Sequence, residues 1–308
     1  MLKVNLIDEA VVELETLRDM VRWGISQFYA ADLFYGHGMD NAWDEAVYLA
    51  LYALHLPPEA GSQIIDARLT GTERRKIARL MARRINERLP AAYLTNEAWF
   101  AGLKFYVDQR VLIPRSPMAE LIEQQFSPWI ATENVQHVLD LCTGSGCIAI
   151  ACTMAFPEAQ VDAVDIATDA LAVAERNVGY YQLEQQVQLI ESNLFDKLKN
   201  KKYDVIISNP PYVADHEMQQ LPKEYLHEPA LGLAAGKQGL DIVIKILQQA
   251  DNYLTESGIL IVEVGNSEEA LSKRYPQVPF TWLEFQRGDG GVFLLTADQL
   301  QENQKYFK

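Results

Sequence analysis

The sequence predicts an α/β chain: a mostly parallel, seven-stranded sheet closed by an antiparallel hairpin and preceded by a small helical domain. Three observations predict it. The first ninety residues carry apolar side chains at helical spacing. From Val135 onward, short apolar runs alternate with helical stretches, the pattern of right-handed βαβ units. Near the end, two strand-like runs flank a glycine-rich turn, which reads as a hairpin.

In the helical part, Val11, Leu14, Leu17, Val21 and Ile25 recur at three- and four-residue steps, an amphipathic stripe. Asp44 to Leu56 gives a second helix, stopped by Pro57-Pro58, and Thr72 to Leu89 a third, ended by Pro90. Short loops between such helices imply a small bundle. Between Trp99 and Ile113 the period changes, with Phe100, Gly102, Lys104, Tyr106 and Asp108 alternating with Leu103, Phe105 and Val107. A strand or hairpin linking two domains is expected there. The expected divisions are 1–90 (helical), 91–117 (linking hairpin) and 118–308 (α/β). Ser116 is a candidate N-cap with Pro117 at the first helical position, for a helix running through Leu121, Ile122 and Phe126 to Ile130.

The expected strands are His137–Cys142, Gln160–Ile166, Val187–Glu191, Asp204–Ser208 and Ile259–Val264. The hairpin pairs Thr281–Gln286 with Val292–Thr296 around Arg287-Gly288-Asp289-Gly290-Gly291. A parallel sheet closed in this way matches the Rossmann-like class I methyltransferase domain better than the dehydrogenase version of the doubly wound fold.

Composition narrows the class. The 308 residues are 49% hydrophobic and 22% charged, ordinary for a globular chain of two domains. No apolar run is long enough to span a bilayer, and the amphipathic start lacks the basic lead and apolar core of a secretory signal. No membrane partner is expected. Cys142, Cys147 and Cys152 fit no zinc spacing and no disulfide framework; as core thiols they suit a reducing cytoplasm. No metal is expected. There are 27 basic against 42 acidic side chains, net −15. Such a surface repels nucleic acid unless basic residues are concentrated locally, and it favours a cationic partner; solubility alone is the other reading.

The most informative segment is Asn209-Pro210-Pro211-Tyr212, which follows the apolar run Tyr203–Ser208. Proline locks φ and gives no N–H to a sheet, so the strand stops here in a stiff shape. In open α/β sheets, ligands bind beyond the carboxyl ends of strands. The segment reads as a cradle for a flat amide or amine, or else as a turn that happens to contain two prolines. An amide nitrogen is a poor nucleophile because its lone pair is delocalised. The Asn209 side-chain oxygen and the Pro210 carbonyl are candidates to accept both of its hydrogens, with Pro211 stiffening the turn and Tyr212 as a wall against its plane. Asn209, Pro210 and Tyr212 are thus the catalytic candidates, and all four residues the substrate-binding ones. His216 and His227 lie downstream, but the proton becomes acidic only as transfer occurs and water can take it, so neither is expected to act as a base.

Val138–Ala149 reads as strand, glycine loop and helix start. Gly144 and Gly146 allow a ligand close to the backbone, and the helix start offers unpaired N–H groups. The strand Val161–Asp165 ends in an acid able to accept two ribose hydroxyls. These features suit NAD or S-adenosylmethionine, or a plain tight turn. Asp140 tilts the choice: it suits a cationic amino group and is poorly placed for a pyrophosphate. At the next strand end, Asn193 can hydrogen-bond an adenine while Leu194 or Phe195 packs on it. S-adenosylmethionine is therefore the expected cofactor, held by Asp140, Cys142, Thr143, Gly144, Ser145, Gly146, Asp165, Asn193, Leu194 and Asn209.

Three blocks then carry a family resemblance: Asp140-Leu141-Cys142-Thr143-Gly144-Ser145-Gly146, Asn209-Pro210-Pro211-Tyr212, and Glu228-Pro229-Ala230-Leu231 with Gly236 and Gly239. The sequence resembles the glutamine methyltransferases of the HemK/PrmC and PrmB type over nearly its whole length. The Glu228 block separates it from DNA adenine methyltransferases that share Asn-Pro-Pro-Tyr. Arg110–Leu121 and Leu221–Leu233 are similar to the PrmB branch; release-factor enzymes typically carry Pro-Asp-Thr-Glu near Ser116–Glu120. The resemblance implies a substrate-recognising helical domain and methylation of a glutamine in the third protein of the large ribosomal subunit. A ribosomal protein is expected to be basic, which complements the acidic chain. The alternatives are methylation of a release factor, a nucleic-acid amine methyltransferase, which the charge opposes, and a non-catalytic assembly factor; no DNA partner is expected.

One stretch runs against the charge. Thr72–Leu89 holds seven basic residues (Arg74, Arg75, Lys76, Arg79, Arg83, Arg84 and Arg88) against Glu73 and Glu87. Ile77, Leu80, Met81, Ile85 and Leu89 form its expected buried stripe, with Arg75, Arg79 and Arg83 on another face. Either this is a solvated face or the helix touches ribosomal RNA on an assembling particle.

Overall fold

The computed structural model describes residues 4–198, 201–286 and 290–308. The chain divides into two compact units, Met1–Glu97 with Pro222–His227, and Ala98–Leu221 with Glu228–Lys308.

The first unit holds the helices α1 (Val4–Glu13), α2 (Leu17–Ala30), α3 (Ala42–Ala53), α4 (Gly61–Ile64), α5 (Gly71–Glu87) and α6 (Ala91–Thr95). Thr16 and Thr70 form capping boxes with Asp19 and Glu73, satisfying N–H groups that a helix start leaves unpaired. The apolar stripes of α1, α2, α3 and α5 meet in one core containing Met20, Phe28, Leu49, Ile77 and Met81. Leu80 and Leu89 are only half-buried.

That core also buries charge. Arg84 is 1% exposed; it donates from Nε to Glu45 at 2.6 Å, from Nη1 to Glu224 at 3.3 Å and from Nη2 to the Phe34 carbonyl at 2.9 Å. Glu224, also buried, accepts from the Phe34 N–H at 3.1 Å and pairs with Arg88 at 3.0 Å. Of the seven basic residues of Thr72–Leu89, Arg74 donates to the Leu14 carbonyl and Arg83 pairs with Glu87. Arg75, Lys76 and Arg79 remain exposed.

The second unit begins at Ala98, within the short sheet of β1 (Glu97–Phe100) and β2 (Leu103–Tyr106). The main sheet comprises β3 (His137–Leu141), β4 (Gln160–Asp165), β5 (Val187–Glu191), β6 (Tyr203–Ser208), β7 (Leu254–Glu263), β8 (Thr281–Trp282) and β9 (Val292–Thr296), in the order β5-β4-β3-β6-β7-β9-β8. β5, β4, β3, β6 and β7 pair in parallel, and β9 lies antiparallel between β7 and β8. The helices α7 (Met118–Glu123), α8 (Cys147–Ala155), α9 (Thr168–Tyr180), α10 (Asp215–Met218), α11 (Asp241–Gln249), α12 (Glu268–Arg274) and α13 (Ala297–Phe307) complete the unit. Alternate residues of each strand enter opposite cores: Val138, Val205 and Ile207 one, Leu139, Leu141 and Ile206 the other. Covered on both faces, the central strands are mostly apolar, as parallel sheets require, with Asp140 of β3 and Asp162 of β4 as buried exceptions.

Three expectations are corrected. The helix expected to reach Ile130 ends at Glu123, because Gln125 and Phe126 adopt φ of 52° and 56°; a left-handed residue cannot continue a right-handed helix. Phe126 is still buried in the core, which is why its spacing read as helical. Pro117 takes the N-cap position and Ser116 precedes it. The hairpin's first arm is shorter than expected, Thr281–Trp282, and Arg287, Gly288 and Asp289 of its turn lie outside the described residues. No described helix is long and apolar enough to cross a membrane.

Candidate active site

Sheet register aligns the site. Leu141 pairs with Val164 and Ser208, Ser208 with Val262, and Asp165 with Glu191. One residue further along each strand, Cys142, Asp165, Asn209 and Glu263 therefore stand in a row at the carboxyl edge. The strand order reverses between β4, β3 and β6, the switch point where such sheets bind ligands. The Ser208 hydroxyl donates to the Leu141 carbonyl at 2.8 Å, tying the two central strand ends together.

After β3 the chain turns through Cys142 (φ 61°), Gly144 (φ 56°) and Gly146 (φ 79°) before α8. A Cβ built on Gly144 would meet no atom within 4 Å, so the space over this turn is open to a ligand. One on Gly146 would approach the Ala174 Cβ to 3.2 Å, so that glycine serves helix packing. Asp140 is fully buried. Its Oδ2 accepts from the Thr143 hydroxyl at 2.5 Å and the Ala149 N–H at 3.1 Å. Its Oδ1 is buried and has no partner among the described residues. Burial drives the Asp140 carboxyl up to about 7, against the pull of those two hydrogen bonds. An orphaned oxygen on a destabilised carboxylate suits a cationic donor. Asp165 accepts from the Gly144 N–H and the Ala167 N–H, each at 2.9 Å, so it pins the glycine turn and keeps a further lone pair on each oxygen. Burial raises its pKa too.

The remaining cofactor candidates are spread along the same edge. Thr143 and Ser145 are buried, and the Ser145 carbonyl accepts from the Asn177 amide at 2.9 Å. Asn193 is exposed, whereas Leu194 is buried in a core cluster with Phe195. The Phe195 ring stacks on Tyr253 at 4.5 Å. Cys147 and Cys152 lie buried in the core around α8, and burial pushes the Cys147 thiol up to about 12, so they act as apolar filling. No metal-holding cluster occurs among the described residues.

Asn209 and Tyr212 are half-buried and Pro210 is buried. Tyr212 is held at three points. Its hydroxyl donates to Glu263 Oε1 at 2.9 Å, and its carbonyl accepts from the Ser267 hydroxyl at 3.1 Å. Its ring lies against Gly265, where a Cβ would stand 2.6 Å from Cε2. Gly239 closes on the Tyr212 carbonyl, where a Cβ would come within 2.1 Å. Downstream, Val213 and Leu233–Ala235 exchange backbone hydrogen bonds of 2.8 and 2.9 Å, so the Glu228 block lies alongside the chain leaving Tyr212. Glu228 is itself buried and accepts from both Nη atoms of Arg115, at 2.6 and 2.9 Å, and from the Ile113 N–H at 3.0 Å.

Sequence reasoning missed Glu263 and read Ser116 as a helix cap and as part of a branch-specific segment. The signal for Glu263 was an acid closing the apolar run Ile259–Val262 at a strand end.

Parallel strands with β9 inserted antiparallel, and a glycine turn beside a rigid polar strand end, define a class I methyltransferase. Residues 124–236 match the Methyltransferase small domain family. Over 289 residues, 94% of this chain and 97% of the relative, the sequence is 49% identical to the ribosomal protein uL3 glutamine methyltransferase of Bordetella pertussis. It is 48% identical to that of Francisella tularensis subsp. tularensis over 301 residues, 97% of this chain and 96% of the relative. Among solved structures, the hMettl16 catalytic domain in complex with the MAT2A 3′UTR hairpin 6 superposes with a TM-score of 0.50 at 19% identity, covering 63% of this chain and 75% of that one; this likeness concerns the fold alone. The chain belongs to the ribosomal protein uL3 glutamine methyltransferase family. HemK/PrmC is a related but different family, so the wider resemblance read from the sequence narrows to the uL3 branch.

Proposed function

We propose that this protein transfers a methyl group from S-adenosylmethionine to the side-chain amide nitrogen of a glutamine in ribosomal protein uL3. The observation that carries the reading is the row at the sheet edge, which sets the glycine turn and Asp140 beside Asn209-Pro210-Pro211-Tyr212. When bound, S-adenosylmethionine supplies an electrophilic methyl group. Asp140, Cys142, Thr143, Gly144, Ser145, Gly146, Asp165, Asn193, Leu194 and Asn209 hold it, Asp140 through its unpartnered oxygen.

The chain's own work is on the amide. The Asn209 side-chain oxygen and the Pro210 carbonyl accept the two N–H hydrogens, fixing the nitrogen and raising its electron density. Tyr212 packs on the amide plane, and Pro211 keeps the turn stiff. No side chain need remove the proton, since it leaves to water once the nitrogen becomes acidic. The catalytic contribution is positioning and preorganised polarity.

The helical domain recognises the substrate, a basic large-subunit protein drawn to an acidic enzyme in the cytoplasm. Contact with ribosomal RNA falls to Arg75, Lys76 and Arg79, since Arg74, Arg83, Arg84 and Arg88 are engaged within their own unit. The test is incubation with labelled S-adenosylmethionine and either purified uL3 or a purified release factor, followed by peptide mapping. Label on one glutamine of uL3 is expected. Label confined to the release factor, or to a residue other than glutamine, overturns the proposal.

A further inference from the structure

Glu263 is the last residue of β7 and follows Val262, which pairs with Ser208, the residue before Asn209. It is buried. Both of its oxygens accept from hydroxyls: Oε2 from Ser116 at 2.5 Å and Oε1 from Tyr212 at 2.9 Å. The Ser116 hydroxyl is itself fixed by the Met118 N–H at 3.2 Å. The result is a continuous chain of hydrogen bonds, Met118 to Ser116 to Glu263 to Tyr212. It ends on the aromatic ring that Gly265 backs from the side.

A carboxylate buried at this depth is costly unless it is satisfied. Burial raises the pKa of Glu263, and the Ser116 and Tyr212 hydroxyls and the charge of Arg115 oppose that rise; the Arg115 guanidinium is itself committed to Glu228. Two hydroxyls therefore do the satisfying. The packing of Tyr212 alone does not require an acid, because an apolar contact at the same place would bury the ring at lower cost. What the acid adds is direction. A hydrogen bond at the far end of a tyrosine resists sliding of the ring in its plane and swinging about Cα–Cβ, and its acceptor is an acid whose other oxygen is already fixed by Ser116.

We infer that Glu263 is a positioning residue for methyl transfer: with Ser116 behind it, it fixes the Tyr212 ring in the orientation that receives the substrate amide. This rests on the glutamine methyltransferase reading, with Tyr212 as the wall of the amide cradle. Both Glu263 oxygens are taken by hydroxyls, so its effect on the reaction runs through the phenol it holds.

The test combines kinetics and spectroscopy on the full-length enzyme. Glu263→Gln keeps the volume but removes one acceptor, and it should lower kcat on uL3 roughly tenfold with S-adenosylmethionine affinity kept. In a Tyr212→Phe background the same replacement should change kcat less than about twofold, because the bond it serves is already gone. Additive losses in the double variant overturn the proposal, as does an unchanged kcat in Glu263→Gln. Independently of any substrate, spectra of enzyme carrying ¹³C-labelled tyrosine identify Tyr212 as the resonance lost in Tyr212→Phe. That resonance should shift and broaden in Glu263→Gln and Ser116→Ala while the other tyrosines stay in place; an unmoved resonance overturns the inference. Wild-type enzyme inactive on uL3 would count against the functional reading, while the spectra still decide the role of Glu263.

Discussion

The helical unit and the sheet edge of the methyltransferase unit both bury carboxylates, but by different means; away from that edge, Glu228 is paired with Arg115 as the helical unit's acids are with theirs. In the helical unit Glu45 and Glu224 share two guanidiniums, from Arg84 and Arg88. In the methyltransferase unit Asp140 and Asp165 meet only hydroxyls and backbone N–H groups, and one oxygen of Asp140 meets nothing. Glu263 leans on two hydroxyls. A compensated charge is finished structure. An uncompensated one is held at a cost the fold carries elsewhere, and such cost collects where a ligand completes the site.

Breaking the compensated network should give the largest change in stability. Arg84→Met leaves Glu45 buried without its partner, and loss of one member of a buried pair costs about 3–5 kcal/mol. Chemical denaturation should show a midpoint lowered accordingly. A change under about 1 kcal/mol would mean that the network is not held by charge.

Asp140→Asn should do the reverse. It removes a strained charge, so stability of the cofactor-free protein at pH 8 should hold or rise, while affinity for S-adenosylmethionine falls roughly tenfold. Calorimetry of binding and thermal melts separate the two effects.

The same residue sets a pH dependence. Its folded pKa, about 7, lies above the ordinary carboxylate value. Between those two values the folded cofactor-free protein keeps a proton that the unfolded chain has lost. Stability from this group is therefore greatest at low pH and is lost as pH rises through about 7. Wild type should lose melting temperature relative to Asp140→Asn between pH 5 and pH 8. A cationic ligand group at Asp140 favours the carboxylate, so cofactor affinity should increase over the same range. An affinity independent of pH would place the ligand's charge elsewhere.

The smallest effect sharpens the comparison within one helix. Arg83 is the neighbour of Arg84, but its pair with Glu87 is exposed, with side chains 52% and 45% accessible. Exposed pairs of this kind contribute about 0.3–0.5 kcal/mol, so Arg83→Ala should be nearly silent in the same denaturation assay.

Much of this was legible in the sequence, and the remainder was hidden for a physical reason. Strand periods and turn residues are local, so the run Tyr203–Ser208, its stop at Pro210 and the glycine turn at Gly144–Gly146 could be read directly. Glu45, Glu224 and Glu263 were recognisable as acids, but their partners are distant in sequence. Glu263 meets Ser116 across 147 positions and Tyr212 across 51; Arg84 meets Glu45 across 39 and Glu224 across 140. Such pairings leave no periodic trace. Counting charges along Thr72–Leu89 therefore left Arg84 undistinguished among seven basic residues, and Glu263 went unnoticed at the end of an apolar strand. The overlong helix after Pro117 failed similarly, since Phe126 keeps helical spacing while its backbone has turned left-handed.

The central claim is that Asn209, though one of the residues assigned to the cofactor, works mainly to prepare the substrate amide. Asn209→Ala tests it most directly, with S-adenosylmethionine affinity and single-turnover methylation of uL3 measured on the same preparation. Affinity should stay within about threefold, and the rate of transfer should fall by two orders of magnitude or more, roughly the loss seen when one preorganised polar group is removed from a reacting centre. Transfer at the wild-type rate by a variant that still binds S-adenosylmethionine would contradict the account.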